Sequence, residues 1–359
     1  MVTLPETIPA LLPKEAGTNM NDLTIVDIAR LAGVSVSTVS RVINKHPDVN
    51  TQTADKVQKI IEEHDYVPNN SARNLKRESM KAVAVIVKGF SNPFFTAMLG
   101  IIQQELEQSG YTMLLTQVET DKDEVSAAIS LCKEKKPRGL IFMGGNFTHT
   151  PEKLAMLDVP YVMLTFTMHW DVDRNTFSSV TVDDYTAGHN VARILAESGH
   201  SKLAVIGSNA NDVSISHLRV EGFCQYIKDA GLDFGNSQIA YAGEFSYEAG
   251  YNAAKTLLEK SEFTGIFCIS DILALGAVRA LYDAGISVPD EISVIGFDGI
   301  DEGRFHIPSL ASMYQPDRDM AYETVRILLN NIRSGAKHRH LVFDAEFYKG
   351  ESFAPCKDV

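Results

Sequence analysis

The chain has 359 residues, 45% apolar and 22% charged, enough for two or three domains with a real core and incompatible with wholesale disorder. No apolar run is long enough to cross a bilayer. Cys132, Cys224, Cys268 and Cys356 stand far apart, so the sequence holds neither a zinc module nor a disulfide framework and fits a reducing compartment. Residues 20–81 carry nine basic and eight acidic side chains, against 23 and 36 in residues 82–359. That imbalance confines any DNA contact to the N-terminal part, because an acidic body repels nucleic acid.

Residues 1–19 hold three prolines and no periodicity, and read as a flexible arm. No Lys or Arg precedes Leu11 and Leu12, which argues against a secretory signal and for a cytoplasmic protein. Thr24 then caps a helix whose Ile25, Ile28, Ala29 and Ala32 share one face, with Asp27 at the capping-box position. Gly33 ends it in a left-handed turn. Ser35 caps a second helix, Val36 to Asn44, with Val39, Val42 and Ile43 inward and Ser37, Ser40, Arg41 and Asn44 outward. A third helix runs from about Thr51 to His64, with Ala54, Val57, Ile60 and Ile61 in phase. Two short helices joined by a Gly turn, with a third in support, follow the helix-turn-helix plan. Arg41 carries the donor fork that fits guanine O6 and N7; standing alone it would read as a solvated surface residue.

The segment Tyr66–Arg77 follows. Pro68 separates it from the third helix. Asn69 to Lys76 spans about two turns, too few to be stable alone in water. Arg73, Lys76 and Arg77 surround Leu75. That pattern suits a linker whose leucine tucks against the body. It equally suits a minor-groove wedge that kinks DNA while basic neighbours neutralise phosphates.

The stretch Thr24-Ile25-Val26-Asp27-Ile28-Ala29-Arg30-Leu31-Ala32-Gly33-Val34-Ser35-Val36-Ser37-Thr38-Val39-Ser40-Arg41-Val42-Ile43-Asn44 resembles, without a gap, the DNA-binding head of the lactose/purine-repressor family of bacterial transcription regulators. The resemblance implies DNA contacts at Thr24, Ser35, Val36, Ser37, Thr38, Arg41 and Asn44 in the head. It places base-edge contacts at Val36, Ser37 and Arg41. Val36 cannot hydrogen-bond a base, so its chemistry points to a thymine methyl. In the hinge, Ala72-Arg73-Asn74-Leu75 matches the family's wedge context, implying contacts from Asn69, Arg73, Leu75 and Lys76.

From Lys81 the period changes. The run Ala82–Val87 reads as a buried parallel strand. Alternation continues through a helix at Phe94–Gln108, strand Thr112–Thr116, helix Glu124–Lys135, and strands Leu140–Met143 and Tyr161–Leu164. Next come helix Ala187–Glu197, strand Leu203–Ile206, helices Leu218–Ala230 and Tyr247–Leu258, strand Gly265–Ile269, helix Leu273–Ala284 and strand Ile292–Phe297. This predicts an α/β body of parallel sheets, too long for one sheet and so divided into two lobes. Ligands in such folds bind beyond the strand C-termini. There the sequence places Asn92, Phe94, Phe95, Asp183-Asp184, Phe245, Asp271 and Asp298, with Arg219 near a helix start. Carboxylates, an arginine and rings together suit a small, hydroxyl-rich ligand. Asp271, and Asp183 or Asp184, read equally well as helix N-caps, and Asn92-Pro93 as a turn.

The resemblance extends to about Phe353. It implies a body like that of periplasmic binding proteins, with Asp183, Arg219 and Asp298 holding the effector, Phe95 and Phe245 lining it, and Gln315 at a crossover. It divides the chain into an arm (1–19), a helix-turn-helix domain (20–68), a hinge (69–80) and a two-lobed effector and dimerisation domain (81–359). One lobe takes residues 82–182 and about 316–343; the other takes 183–315 and 344–359. The expected function is a cytoplasmic repressor that binds a pseudo-palindromic double-stranded operator as a homodimer under control of a sugar-like effector. No cofactor, metal or membrane is called for. No dinucleotide, P-loop or nucleophile-elbow motif is present in the sequence, and His338-Arg339-His340 has no acidic or cysteine neighbours that would complete a metal site. A periplasmic-type sugar receptor is the alternative; it would share the body and lack residues 24–77.

Overall fold

The computed structural model describes residues 23–43, 46, 48–64, 66, 81–89, 91–119, 121–146, 148–168, 171–210 and 214–357. The arm (1–19) and the hinge residues Asn69, Arg73, Leu75 and Lys76 lie outside them, as does Asn44. The chain divides into two compact units, Met1–Ser79 and Met80–Val359.

The first unit holds α1 (Ile25–Ala32), α2 (Val36–Ile43) and α3 (Thr51–Glu63). The Asp27 carboxylate accepts from the Thr24 amide at 3.0 Å and its hydroxyl at 2.6 Å. Gly33 adopts φ 65°, a conformation that costs glycine little and permits the sharp turn into α2. Ser35 Oγ then accepts the Thr38 amide at 3.1 Å. The α3 cap is Asn50, which accepts the Gln52 amide at 2.8 Å. Ile28, Ala29, Ala32, Val39, Val42 and Val57 form the buried core.

The second unit is strand-helix alternation. Its strands are β1 (Ala82–Lys88), β2 (Thr112–Val118), β3 (Gly139–Met143), β4 (Tyr161–Leu164), β5 (Ser178–Val182), β6 (Leu203–Gly207), β7 (Ile239–Tyr241), β8 (Gly265–Cys268), β9 (Ser293–Asp298), β10 (Ala311–Tyr314), β11 (His340–Phe343) and β12 (Glu346–Tyr348). They form two six-stranded sheets in the orders β11-β5-β4-β3-β1-β2 and β12-β10-β9-β8-β6-β7. Every pairing is parallel except β12 on β10. The chain crosses between sheets three times: after β5, after β10 and between β11 and β12.

The helices that matter for the cleft are α4 (Pro93–Gln108), α5 (Glu124–Lys135), α6 (Pro151–Leu154), α7 (Asp184–Glu197), α8 (Ser216–Asp229), α9 (Tyr247–Lys260), α10 (Asp271–Asp283), α11 (Asp301–Arg304) and α12 (Asp317–Ser334). Helix α7 begins at Asp184 and α10 at Asp271, earlier than their apolar periodicity starts, because the acidic residues occupy the first turn. The eighteen-residue α12 lies beyond the last element read from the apolar pattern. Among the described residues no helix is long and apolar enough to cross a membrane.

Helices α7 and α8 meet backbone to backbone. A Cβ on Gly188 would lie 2.0 Å from the Arg219 carbonyl oxygen, and one on Gly222 2.0 Å from that of Tyr185. Only glycine permits this approach, and it fixes where Arg219 leaves α8.

Candidate functional site: an exposed helix and an interlobe cleft

In the helical unit, Ser35, Val36, Ser37 and Arg41 are exposed and Thr38 half-buried. The Ser35 hydroxyl lies 2.7 Å from that of Ser37 and 2.8 Å from that of Thr38. Val36 leaves 40% of its surface in solvent. Arg41 lies 3.4 Å from Asp48, whose other oxygen is 2.6 Å from His46 Nδ1. Thr24 stands at the N-cap position of α1, with its amide and hydroxyl both donating to the Asp27 carboxylate.

The cleft of the second unit encloses a cavity of about 270 Å³. Lys88, Asn92, Phe94, Phe95, Gly144–Asn146 and Thr165 line it from the first lobe; Ser208, Asn209, Ser214–Ser216, Arg219, Phe245 and Asp298 from the second; Gln315 from a crossover. The sheets converge there because the ends of β1, β3, β6 and β9 all open towards it, as expected for parallel α/β sheets.

Its centre is Asp298, 2% exposed. Oδ2 accepts from Asn92 Nδ2 at 3.0 Å and from Ser270 Oγ at 2.8 Å; Oδ1 accepts from Gln315 Nε2 at 2.8 Å. Asn92 comes from the first lobe, so its bond to Asp298 joins the lobes. Asp298 has φ 115°, a strained value for a side-chain-bearing residue, costing about 1–3 kcal/mol and sustained by the surrounding bonds.

Arg219 is buried beside it. Nε donates to Asp184 at 2.6 Å and Nη1 to the Ile269 carbonyl at 2.7 Å, with Asp298 at 3.5 Å. The guanidinium carbon sits 3.6 Å from the Phe297 ring centre, a cation–π contact. Burial pushes the Asp184 carboxyl up to about 6 despite Arg219. Burial likewise raises Asp298, opposed by Arg219 and by the donors Asn92, Ser270 and Gln315.

A second charged group backs the first lobe. Glu124 accepts from Lys88 Nζ at 2.9 Å and from the Asn146 amide at 2.8 Å, and its Oε1 lies 2.7 Å from His149 Nε2. Burial alone would raise the Glu124 carboxyl, but the bonds from His149, the Asn146 amide and Lys88 hold it at about 2. Asp123 beside it pairs with Lys153.

Seven of the nine effector residues read from the sequence line the cavity: Asn92, Phe94, Phe95, Arg219, Phe245, Asp298 and Gln315. Asp183 and Asp271 do not. Asp183 is exposed and caps α7, accepting the Thr186 amide at 3.0 Å and its hydroxyl at 2.7 Å; its neighbour Asp184 meets Arg219 instead. Asp271 is buried away from the cleft. It accepts the Gly299 and Ile300 amides at 2.7 and 2.9 Å and the Ser312 hydroxyl at 2.7 Å, so it anchors the turn that presents Asp298. Burial, then the charge of Asp298, pushes it up to about 8. Lys88, Asn146, Thr165 and the serines of the second lobe were not singled out by the sequence. Lys88 alone left a signal, a lone charge closing an apolar strand. His338 and His340 lie 3.2 and 2.8 Å from the hydroxyls of Ser178 and Ser179.

A helix-turn-helix unit with an exposed second helix, joined in one chain to a two-lobed cleft of parallel sheets, defines a ligand-responsive DNA-binding regulator. Residues 24–69 match the profile of the lacI family of bacterial regulatory proteins, and residues 80–351 that of periplasmic binding proteins and the sugar-binding domain of the LacI family. The chain is 38% identical to the HTH-type transcriptional regulator MalR of Clostridium butyricum, over 92% of this chain and 99% of that protein. It is 32% identical to the HTH-type transcriptional repressor PurR of Haemophilus influenzae (strain PittEE), over 86% and 91%. A solved structure of the transcriptional regulator CelR–cellobiose complex superposes with TM-score 0.68 at 26% identity, covering 92% of this chain and all of that one. The protein belongs to the LacI family of transcription regulators.

Proposed function

We propose that the protein is a cytoplasmic repressor that binds a pseudo-palindromic DNA operator as a homodimer, and that a small hydroxyl-rich effector in the cleft controls that binding. Val36, Ser37 and Arg41 read base edges. Asn44 and the hinge residues Asn69, Arg73, Leu75 and Lys76 add contacts, with Leu75 as the minor-groove wedge. In the cleft, Asn92, Arg219, Asp298 and Gln315 hold the effector polar groups and Phe95 and Phe245 cover its apolar faces. The regulator reading, rather than an enzyme, follows the named activities of the relatives.

One observation carries the control mechanism. Asp298 of one lobe is bonded directly to Asn92 of the other and to the crossover residue Gln315. A ligand that competes for Asp298 must alter a bond between lobes, and so has the differential interaction with two arrangements that any switch requires. For dimerisation the second lobe offers exposed apolar side chains: Tyr282, Phe305 and Ile307 are 75%, 84% and 89% exposed.

The test is in vitro selection of a duplex by the full-length protein, followed by anisotropy titration with and without maltose, cellobiose or ribose. Sequence-specific binding that shifts with one sugar supports the reading. Absence of any preferred duplex, with or without sugars, contradicts it.

A further inference from the structure

The cleft has two lining cations among the described residues, Lys88 and Arg219, and neither is available to an anion. Lys88 is 10% exposed at its side chain and pairs with Glu124, itself 1% exposed; it also donates to the Lys122 carbonyl at 2.7 Å. Arg219 is held between Asp184 and Asp298. Three buried carboxylates, Glu124, Asp184 and Asp298, thus face Lys88, Arg219 and the His149 ring on Glu124, so even with His149 protonated the site has no positive excess with which to offset a desolvated phosphate.

Helix N-termini are the other source of anion binding in such clefts. Here both are occupied. Helix α4 starts with Pro93, which has no amide hydrogen, and the amides of Phe94 and Phe95 donate to the side chain and carbonyl of Asn92, each at 3.1 Å. At α8 the Ser216 amide donates to the Ser214 hydroxyl at 3.3 Å, and the His217 amide to the Ser214 carbonyl at 3.2 Å.

What remains open asks for hydroxyls. Gln315 is 1% exposed, and its Oε1 is buried without a hydrogen-bond partner. Its amide cannot flip to relieve this, because Nε2 is bonded to Asp298. A buried acceptor of this kind needs a donor. A phosphate dianion only accepts, whereas a hydroxyl both donates and accepts.

We propose that the effector is an uncharged, polyhydroxylated molecule and that the cleft rejects its phosphate ester. This deepens the effector reading above and rests on it. Charge neutralisation of Lys88 by Glu124 and of Arg219 by Asp184 and Asp298 is the selecting feature. Gln315 Oε1 accepts a hydrogen bond from a ligand hydroxyl.

Isothermal calorimetry on the full-length protein at fixed ionic strength tests this, using maltose, cellobiose, glucose and ribose beside glucose 6-phosphate, ribose 5-phosphate and inorganic phosphate. An uncharged sugar is expected to bind, the esters to bind at least about tenfold more weakly, and inorganic phosphate to give no saturable heat. Tighter binding of an ester than of the sugars, or saturable binding of inorganic phosphate, overturns the proposal. Silence of every sugar contradicts the sugar-like effector of the previous section, and the phosphate titration then decides the charge rule by itself. Glu124→Gln, which leaves Lys88 without its counter-charge, is expected to gain several-fold in phosphate affinity. A folded variant with no gain counts against the neutralisation argument. Should it fail to fold, the wild-type titrations carry the test.

Discussion

In the helical unit Arg41 keeps 59% of its side chain exposed and shares one carboxylate, Asp48. In the cleft Arg219 keeps 7% and is held by two carboxylates and a backbone carbonyl. The first pair is a surface contact worth about 0–1 kcal/mol, so Arg41 can turn to a base at little cost. The second is a buried network whose members are costly to separate. A surface that reads DNA keeps its donors in exposed contacts that are cheap to exchange. A pocket that senses a small ligand fixes its polar groups in advance and leaves only those the ligand must satisfy.

Arg219→Ala gives the largest expected effect. It strands Asp184 and Asp298 without their cation, and should lower stability of the body by about 3–5 kcal/mol in urea titrations, with loss of sugar binding. A stability within about 0.5 kcal/mol of wild type would make the cleft no different from the head.

Glu124→Gln comes next and carries a pH signature. The wild-type carboxyl is lowered from its ordinary value to about 2. Its contribution is therefore complete above the unfolded-state value and is lost as pH falls through about 2. The shift corresponds to about 3 kcal/mol. The variant should be less stable than wild type at pH 7, and the gap should narrow progressively below pH ~4.5. A gap constant down to pH ~2 would show that the carboxylate charge is not what holds Lys88, Asn146 and His149.

Gly188→Ala should cost about 1–3 kcal/mol, because the added methyl meets the Arg219 carbonyl and α7 and α8 must part. Sugar affinity should fall with it. A variant of unchanged stability and affinity would mean that the helix contact does not place Arg219. Arg41→Ala reverses the pattern, with thermal stability nearly unchanged and about 1–3 kcal/mol lost from discrimination between preferred and random duplexes. Equal loss on all duplexes would reduce Arg41 to a phosphate contact.

The sequence displays the head well, because its signals are local. Thr24 with Asp27, Gly33 and Ser35 each act within one turn, and the apolar phase of Ile28, Ala29 and Ala32 is uninterrupted. The buried strands β1, β3, β4, β6, β8 and β9 are legible for the same reason, whereas β10, a short run broken by Ser312, is not. The cleft is legible where a polar residue closes an apolar strand, as at Asn92 and Asp298. Asp183 and Asp184 stand one position apart, and the phase of the strand-to-helix turn decides which caps α7 and which meets Arg219. Nothing in either residue marks that choice. Asp271 has the same ambiguity, settled by amides and a hydroxyl 28 to 41 positions away. The Lys88–Glu124 pair joins residues 36 apart, which only the packing of α5 against β1 brings together. The edge strand β12 carries little apolar signal and pairs antiparallel.

The central claim is that the cleft and the DNA-reading helix share one free energy. Linkage measures it directly: the dissociation constant of the selected duplex with and without saturating sugar, and that of the sugar with and without duplex. The two ratios should be equal, between about 5 and 150, and both should collapse to one in Arg219→Ala. A wild-type duplex affinity unchanged at sugar saturation would contradict the account.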